Sequence, residues 1–141
     1  MAIEGRALTI LVVEDNPGDV ALIREALRAG GPAHRLSLAP DGDVALAHLR
    51  HPATPRPDLV LLDLNLTRRD GRAVLAALRA DPALRSLPVV VFSTSTDPRD
   101  VAGAYAAGAN AYVAKPFHLD DYLAAVGGIV AFWGALALLP A

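Results

Sequence analysis

Three acids, a hydroxyl and an amine stand at the ends of apolar runs in this chain. Asp63 closes the run Leu59-Val60-Leu61-Leu62. Ile10-Leu11-Val12-Val13 stops at Glu14-Asp15, and Val89-Val90-Val91-Phe92 stops at Ser93-Thr94. A shorter segment, Ala111-Tyr112-Val113, leads to Lys115-Pro116. Carboxylates are hard oxygen ligands of the kind Mg²⁺ prefers. An amine and a hydroxyl can serve phosphoryl oxygens. A carboxylate is itself adequate for in-line attack on phosphorus once its charge is neutralised. The set can hold a divalent cation and a phosphoryl group, provided the fold gathers it in one place.

The elements that must do the gathering are legible. Apolar runs bounded by turn residues read as strands buried on both faces of a parallel sheet. In open α/β sheets, ligands bind outside the carboxyl ends of the strands. Strand and helix patterns alternate along the whole chain, which predicts helices on both faces of that sheet. Asn16-Pro17, with Asp19 in the first turn, marks a helix start, and Asp97-Pro98 with Asp100 repeats the device. The first helix places Val20, Ile23 and Leu27 on one face and ends at Gly30-Gly31. A weaker strand is predicted over 34–39. Further helices are predicted over 41–49, 71–80 and 98–107, and a fifth from about Leu119. The segment 51–57 contains Pro52, Pro55 and Pro57 and reads as an extended loop within the domain. Gly71 and Gly108 read as turn glycines. The expectation is five strands and five helices in a doubly wound α/β fold.

Size and composition remove other classes. A chain of 141 residues suffices for one domain with a real core. With 53% hydrophobic and 20% charged residues it is not a disordered chain. A net charge of −2 gives no general attraction to nucleic acid. Without cysteine there is no disulfide framework, thiolate metal site or cysteine nucleophile. The first ten residues lack a signal-peptide core, so a cytoplasmic location is expected. From Leu123 to Ala141 no charged residue occurs, a stretch long enough to span a bilayer. Gly127, Gly128 and Gly134 dilute it, no Lys or Arg flanks it, and Asp120-Asp121 precede it, so it is read as the last helix and not as a membrane span.

The polar edge resembles the receiver domain of two-component response regulators. The resemblance is carried by Val13-Glu14-Asp15-Asn16, by Leu61-Leu62-Asp63-Leu64-Asn65-Leu66 with Asp70-Gly71, by Val91-Phe92-Ser93-Thr94, and by Ala111 to Phe117. These five elements occur in the family's order and spacing over roughly residues 7 to 130. The resemblance implies a single domain over 1–141, with residues 131–141 as a helical extension and tail. It implies a flavodoxin-like (βα)5 sheet with strand order 2-1-3-4-5. Asp63 would be the phosphoacceptor, with Glu14, Asp15, Asp63 and the Asn65 carbonyl holding Mg²⁺. Lys115 would pair with the bound phosphoryl, aimed by a cis peptide before Pro116. Ser93 would donate its hydroxyl to the phosphoryl, and Tyr112 would move inward as Ser93 shifts. Asn65, Thr94 and Ser95 occupy positions that tune the reaction. Such a protein is not a turnover enzyme; it acts only on its own phosphorylation.

Some features depart from the family pattern or narrow it. Thr67 stands where proline is frequent, and Thr94 is larger than the usual small residue. Arg68 and Arg69 lie on the loop beside the site and read as solvated side chains, on a loop expected to contact a partner. The four histidines, 34, 48, 51 and 118, have no metal-ligand spacing and read as surface or cap residues. Asp15 to Asp19, the proline loop and the ending Phe132-Trp133…Leu139-Pro140 resemble the receivers that partner phytochrome-type histidine kinases. An uncharged last helix lacks the polar face of a surface helix. That predicts a homodimer anchored by Ile129, Phe132, Trp133 and Leu136. Two other classes compete with the receiver. An aspartyl phosphohydrolase would carry an acid two residues after its nucleophile, where this chain has Asn65. A flavodoxin-like cofactor binder would need a phosphate loop after the first strand, where Glu14-Asp15 would repel it.

Overall fold

The computed structural model describes residues 5–29, 32–66 and 70–140. The expectations on Gly30-Gly31, Thr67, Arg68 and Arg69 lie outside the described residues. The elements run β1 (Thr9–Val13), α1 (Pro17–Arg28), β2 (Arg35–Ala39), α2 (Gly42–Arg50), β3 (Leu59–Leu62), α3 (Gly71–Ala80), β4 (Val89–Ser93), α4 (Pro98–Ala106), β5 (Ala111–Ala114) and α5 (Leu119–Ala131). A π-helical turn, Phe132–Leu136, continues α5. Among the described residues five strands form one parallel sheet in the order β2-β1-β3-β4-β5.

The central strands show no polar alternation because both of their faces are covered. Ile10, Val12, Leu59, Leu61, Val90 and Phe92 pack with Ile23 of α1 and with Tyr122, Val126 and Ile129 of α5. Leu11, Val13, Val60, Leu62, Val89 and Val91 point the other way, onto Leu46 of α2 and Val74, Leu75 and Leu78 of α3. The sheet thus separates two apolar layers.

The helix starts follow their caps. Asn16 Oδ1 accepts from the Gly18 and Asp19 amides at 2.8 and 3.2 Å, with Pro17 at the first helical position. Asp41 caps α2 by accepting from Val44 N at 2.9 Å, so that helix begins one residue later than its pattern suggests. The span Leu119–Leu136 is long and apolar enough to cross a membrane. Its inward residues Tyr122, Val126, Ile129 and Val130 are buried in the core of the domain.

Two glycines answer to geometry. Gly108 has φ +108°, a left-handed conformation that suits glycine at the α4–β5 turn. A Cβ on Gly71 would collide with the Asp63 carbonyl oxygen and stand 2.8 Å from Leu64 Cα. Glycine there lets the start of α3 lie against the backbone of the site.

Candidate functional site

Register brings the acids together. Val13 pairs with Leu62, so the residues that follow, Glu14 and Asp63, leave adjacent strands at the same level. The Asp63 amide donates to the Val13 carbonyl at 3.0 Å, and the Glu14 amide to the Ala39 carbonyl at 3.0 Å. On the other side of β4, the Lys115 amide donates to the Ser93 carbonyl at 2.7 Å. Four strand ends therefore present Glu14, Asp63, Ser93 and Lys115 to one edge.

Lys115 is the centre of this edge. Its Nζ lies 2.7 Å from Glu14 Oε2, 3.2 Å from Asp19 Oδ2 and 3.4 Å from Asp63 Oδ2. Lys115, Glu14, Asp63 and Ser93 are all buried. The Phe92 ring lies 5.9 Å below the ammonium. Burial alone would lower the Lys115 pKa. The Glu14 hydrogen bond and the charges of Asp63, Glu14 and Asp19 outweigh it, and the pKa is raised. Burial pushes the Glu14 carboxyl up to about 7; Lys115 pulls against that rise and the Asp63 charge adds to it.

Carboxylate oxygens of Glu14, Asp15 and Asp63 lie within 4.8 Å of one another. An all-oxygen acidic donor set of this kind, with Glu14 and Asp63 buried and Asp15 partly exposed, fits a hard divalent cation. Asp63 Oδ1 accepts from the Asn65 amide at 3.1 Å, which fixes the rotamer of its carboxylate. Asn65 is exposed beside it, and its side-chain nitrogen makes a long 3.5 Å contact to Ser93 Oγ. Thr94 is exposed and lines a cleft of about 290 Å³ that opens beside Lys115.

The hydroxyls connect the edge to α4. Ser93 Oγ accepts from the Ser95 amide at 3.3 Å. Ser95 Oγ donates to Asp100 Oδ2 at 2.5 Å, and Arg72 pairs with the other oxygen of Asp100. The side chain of Ser95 is thus turned toward α4 and meets the site through its backbone. Tyr112 OH donates to the Ser95 carbonyl at 2.8 Å, spanning from β5 to the loop after Ser93.

Two expectations are corrected. The Lys115–Pro116 peptide is trans, since no cis bond occurs among the described residues. The amine reaches both acids from that backbone because the Ser93 carbonyl holds Lys115 in line with β5. Ile129, expected on the dimer face, is only 9% exposed and belongs to the core. Phe132 and Leu136 are 49% and 60% exposed. Trp133 is half-buried, edge-on to Phe132 with ring centroids 5.1 Å apart. Ile129, Phe132 and Trp133 line a groove of about 320 Å³ between α5 and the edge strand β5.

Sequence reasoning missed Asp19 as a member of the site, having read it only as a first-turn acid. It accepts from Tyr122 OH on Oδ1 at 2.7 Å, and its Oδ2 forms an ion pair with Lys115 at 3.2 Å. The one available signal was its position a turn of helix beyond Glu14-Asp15.

Comparison with known proteins places this geometry. The response regulator receiver domain family matches residues 10–127. Response regulator Rcp1 of Synechocystis sp. is 41% identical over 136 residues, covering 94% of this chain and 92% of that protein. The crystal structure of the phosphorylated cyanobacterial phytochrome response regulator RcpA superposes with a TM-score of 0.91 at 41% identity, over 96% of this chain and 100% of that one. The Mn²⁺-bound form of Rcp1 gives 0.89 at 40% identity, over 95% and 99%. With the family match and these likenesses of sequence and fold in agreement, the chain belongs to the response regulator receiver domain family.

Proposed function

We propose that this receiver accepts a phosphoryl group on Asp63 from a histidine kinase of the phytochrome type, in a reaction dependent on Mg²⁺. The observation that carries the reading is the placement of Lys115 Nζ between Glu14 and Asp63 at the carboxyl edge of the sheet. Asp63 is the nucleophile: one carboxylate oxygen attacks phosphorus in line, and the bond to the donor's leaving group breaks. Lys115 places a positive charge where the phosphoryl oxygens gather. The Ser93 hydroxyl, at the same strand edge, would donate to one of those oxygens. Glu14, Asp15, Asp63 and the Asn65 carbonyl would hold the cation, which supplies charge neutralisation between acid and phosphoryl. The likeness to a Mn²⁺-bound Rcp1 and a phosphorylated RcpA supports both parts of this reading.

Ser93 and Tyr112 would carry the new state outward through the Ser95 carbonyl to the α4 side. Asn65, Thr94 and Ser95 would set how fast the phosphoryl group enters and leaves. The reading is of a cytoplasmic signalling protein that acts through protein contacts, without nucleic acid or membrane, and not as a turnover phosphohydrolase. Its homodimer would form through Phe132, Trp133 and Leu136.

Intact-mass measurement after treatment with acetyl phosphate and Mg²⁺ tests the assignment. One added phosphate per chain is expected, absent in Asp63→Asn, which is nearly isosteric and keeps the fold. A full phosphate peak in that variant removes Asp63 from the role. Continuous phosphate release would favour the hydrolase.

A further inference from the structure

The hydrogen bond between Tyr122 and Asp19 is not used by the mechanism above, yet it touches the same lysine. Tyr122 belongs to α5 and is buried, its ring edge-on to Phe92 at 5.2 Å. Its hydroxyl donates to one oxygen of Asp19, while Lys115 holds the other. Asp19 therefore bridges the phosphoryl-site lysine and the last helix through the two oxygens of one carboxylate. Its backbone is fixed by the Asn16 cap, so only its side chain can respond.

An ammonium has three donors. Here it donates to Glu14 and Asp63 and pairs ionically with Asp19, and Asp63 is the most distant of the three carboxylates at 3.4 Å. A phosphoryl group on Asp63 adds charge and three acceptor oxygens beyond that position. Moving toward those oxygens loosens the hold of Lys115 on its other carboxylates. With Glu14 serving the cation, Asp19, paired ionically with Lys115 at 3.2 Å, is the partner whose contact the phosphoryl group replaces. The freed carboxylate remains bonded to Tyr122 and to nothing rigid on the lysine side.

We propose that Asp19, held by the Tyr122 hydroxyl, is a positioning residue that docks Lys115 before phosphorylation, and that its release carries the phosphorylation state directly into α5. The route runs on the α1–α5 face of the sheet, separate from the Ser93–Tyr112 route on the other side. It rests on the phosphoacceptor reading of Asp63.

The test is the phosphorylation rate of the full chain with acetyl phosphate at saturating Mg²⁺. Asp19→Asn removes a competitor for Lys115 and should speed the reaction by about threefold or more. Tyr122→Phe leaves Asp19 with Lys115 as its ion-pair partner alone and should slow it by a similar factor. The double variant should match Asp19→Asn, because the hydroxyl acts only through Asp19. In protein labelled with 3-fluorotyrosine, the Tyr122 fluorine resonance should shift on phosphorylation and fail to shift in Asp19→Asn. Unchanged rates in both single variants, or independent effects in the double variant, overturn the proposal. If Tyr122→Phe does not fold, the Asp19→Asn rate and the fluorine signal decide. A wild-type chain that takes up no phosphate overturns the reading of Asp63 itself.

Discussion

Glu14 carries the clearest pH signature of any residue here. Its folded value of about 7 stands above the ordinary 4.5, because burial makes its charge costly. Between those values the folded state holds a proton that the unfolded chain releases, so stability falls as pH rises. Above 7 the carboxylate is ionised in both states, and the folded one bears the full cost. Without metal, the protein should lose about 1 kcal/mol between pH 6.5 and pH 8 through this group. His34 works in the opposite sense: burial lowers its pKa, so it costs stability as pH falls below its ordinary 6.5. Part of that loss already falls within the window, and Glu14→Gln, which keeps His34, serves as the control for it. Saturating Mg²⁺ should flatten the slope, since a cation beside Glu14 favours its charged form. Urea melts at the two pH values, with and without Mg²⁺, are the check. A metal-free protein that is no less stable at pH 8, or a slope that persists in Glu14→Gln, would contradict this account.

At the scale of elements, the start of α3 is a close junction. The Gly71 amide donates to the Leu64 carbonyl at 3.2 Å, and there is no room for a Cβ against Asp63 and Leu64. Gly71→Ala must push α3 away from the site loop, at a cost of about 1–3 kcal/mol. It should also slow phosphorylation, because the displaced backbone is that of Asp63 itself. Thermal melts and acetyl phosphate kinetics would show the two effects together; an unaltered melting temperature would mean the junction yields freely. Gly71 was readable only as a turn glycine, because the neighbour that requires it is set by tertiary packing. The strands were legible for a stronger reason. A strand buried on both faces must be apolar throughout, and its first polar residue marks the edge where it leaves the sheet. That logic located Glu14, Asp63 and Ser93. It could not show that Asp19 turns toward a lysine at the far end of the chain. Nor could it show that His34 Nδ1 accepts from the Leu8 amide at 2.9 Å, instead of lying free on the surface. Side-chain direction at those positions depends on neighbours that sequence spacing does not reveal.

For the whole molecule, assembly is the open surface question. Phe132, Leu136 and Leu138 are exposed apolar side chains at and beyond the end of α5, and contiguous apolar patches rarely exceed a few hundred Å² on monomers. Their burial contributes about 25 cal/mol per Å² before association costs. A symmetric pair is the commonest way to cover them. Sedimentation at micromolar concentration should find a dimer that Phe132→Ser with Leu136→Ser converts to monomer. A wild-type chain that sediments as a monomer would reject the assembly. The absence of charge past Asp121 was visible in the sequence. Which apolar residues turn inward was not: the pattern is hydrophobic on every side, so Ile129 could be assigned to either face.

The two apolar layers have a consequence for how the protein tolerates change. The sheet acts as a partition, with Leu75 and Leu78 on one side and Val126 and Ile23 on the other. Residues without shared contacts add their effects, whereas those packed together do not. Leu75→Ala and Val126→Ala should therefore destabilise independently, summing to within about 0.5 kcal/mol in the double variant. Leu75→Ala with Leu78→Ala should depart from the sum. Additivity that failed across the sheet would show that the strands transmit strain between the layers. A partitioned core lets each half-core vary on its own schedule, the α2–α3 side without consulting the α1–α5 side. The strand ends are where the two histories must agree.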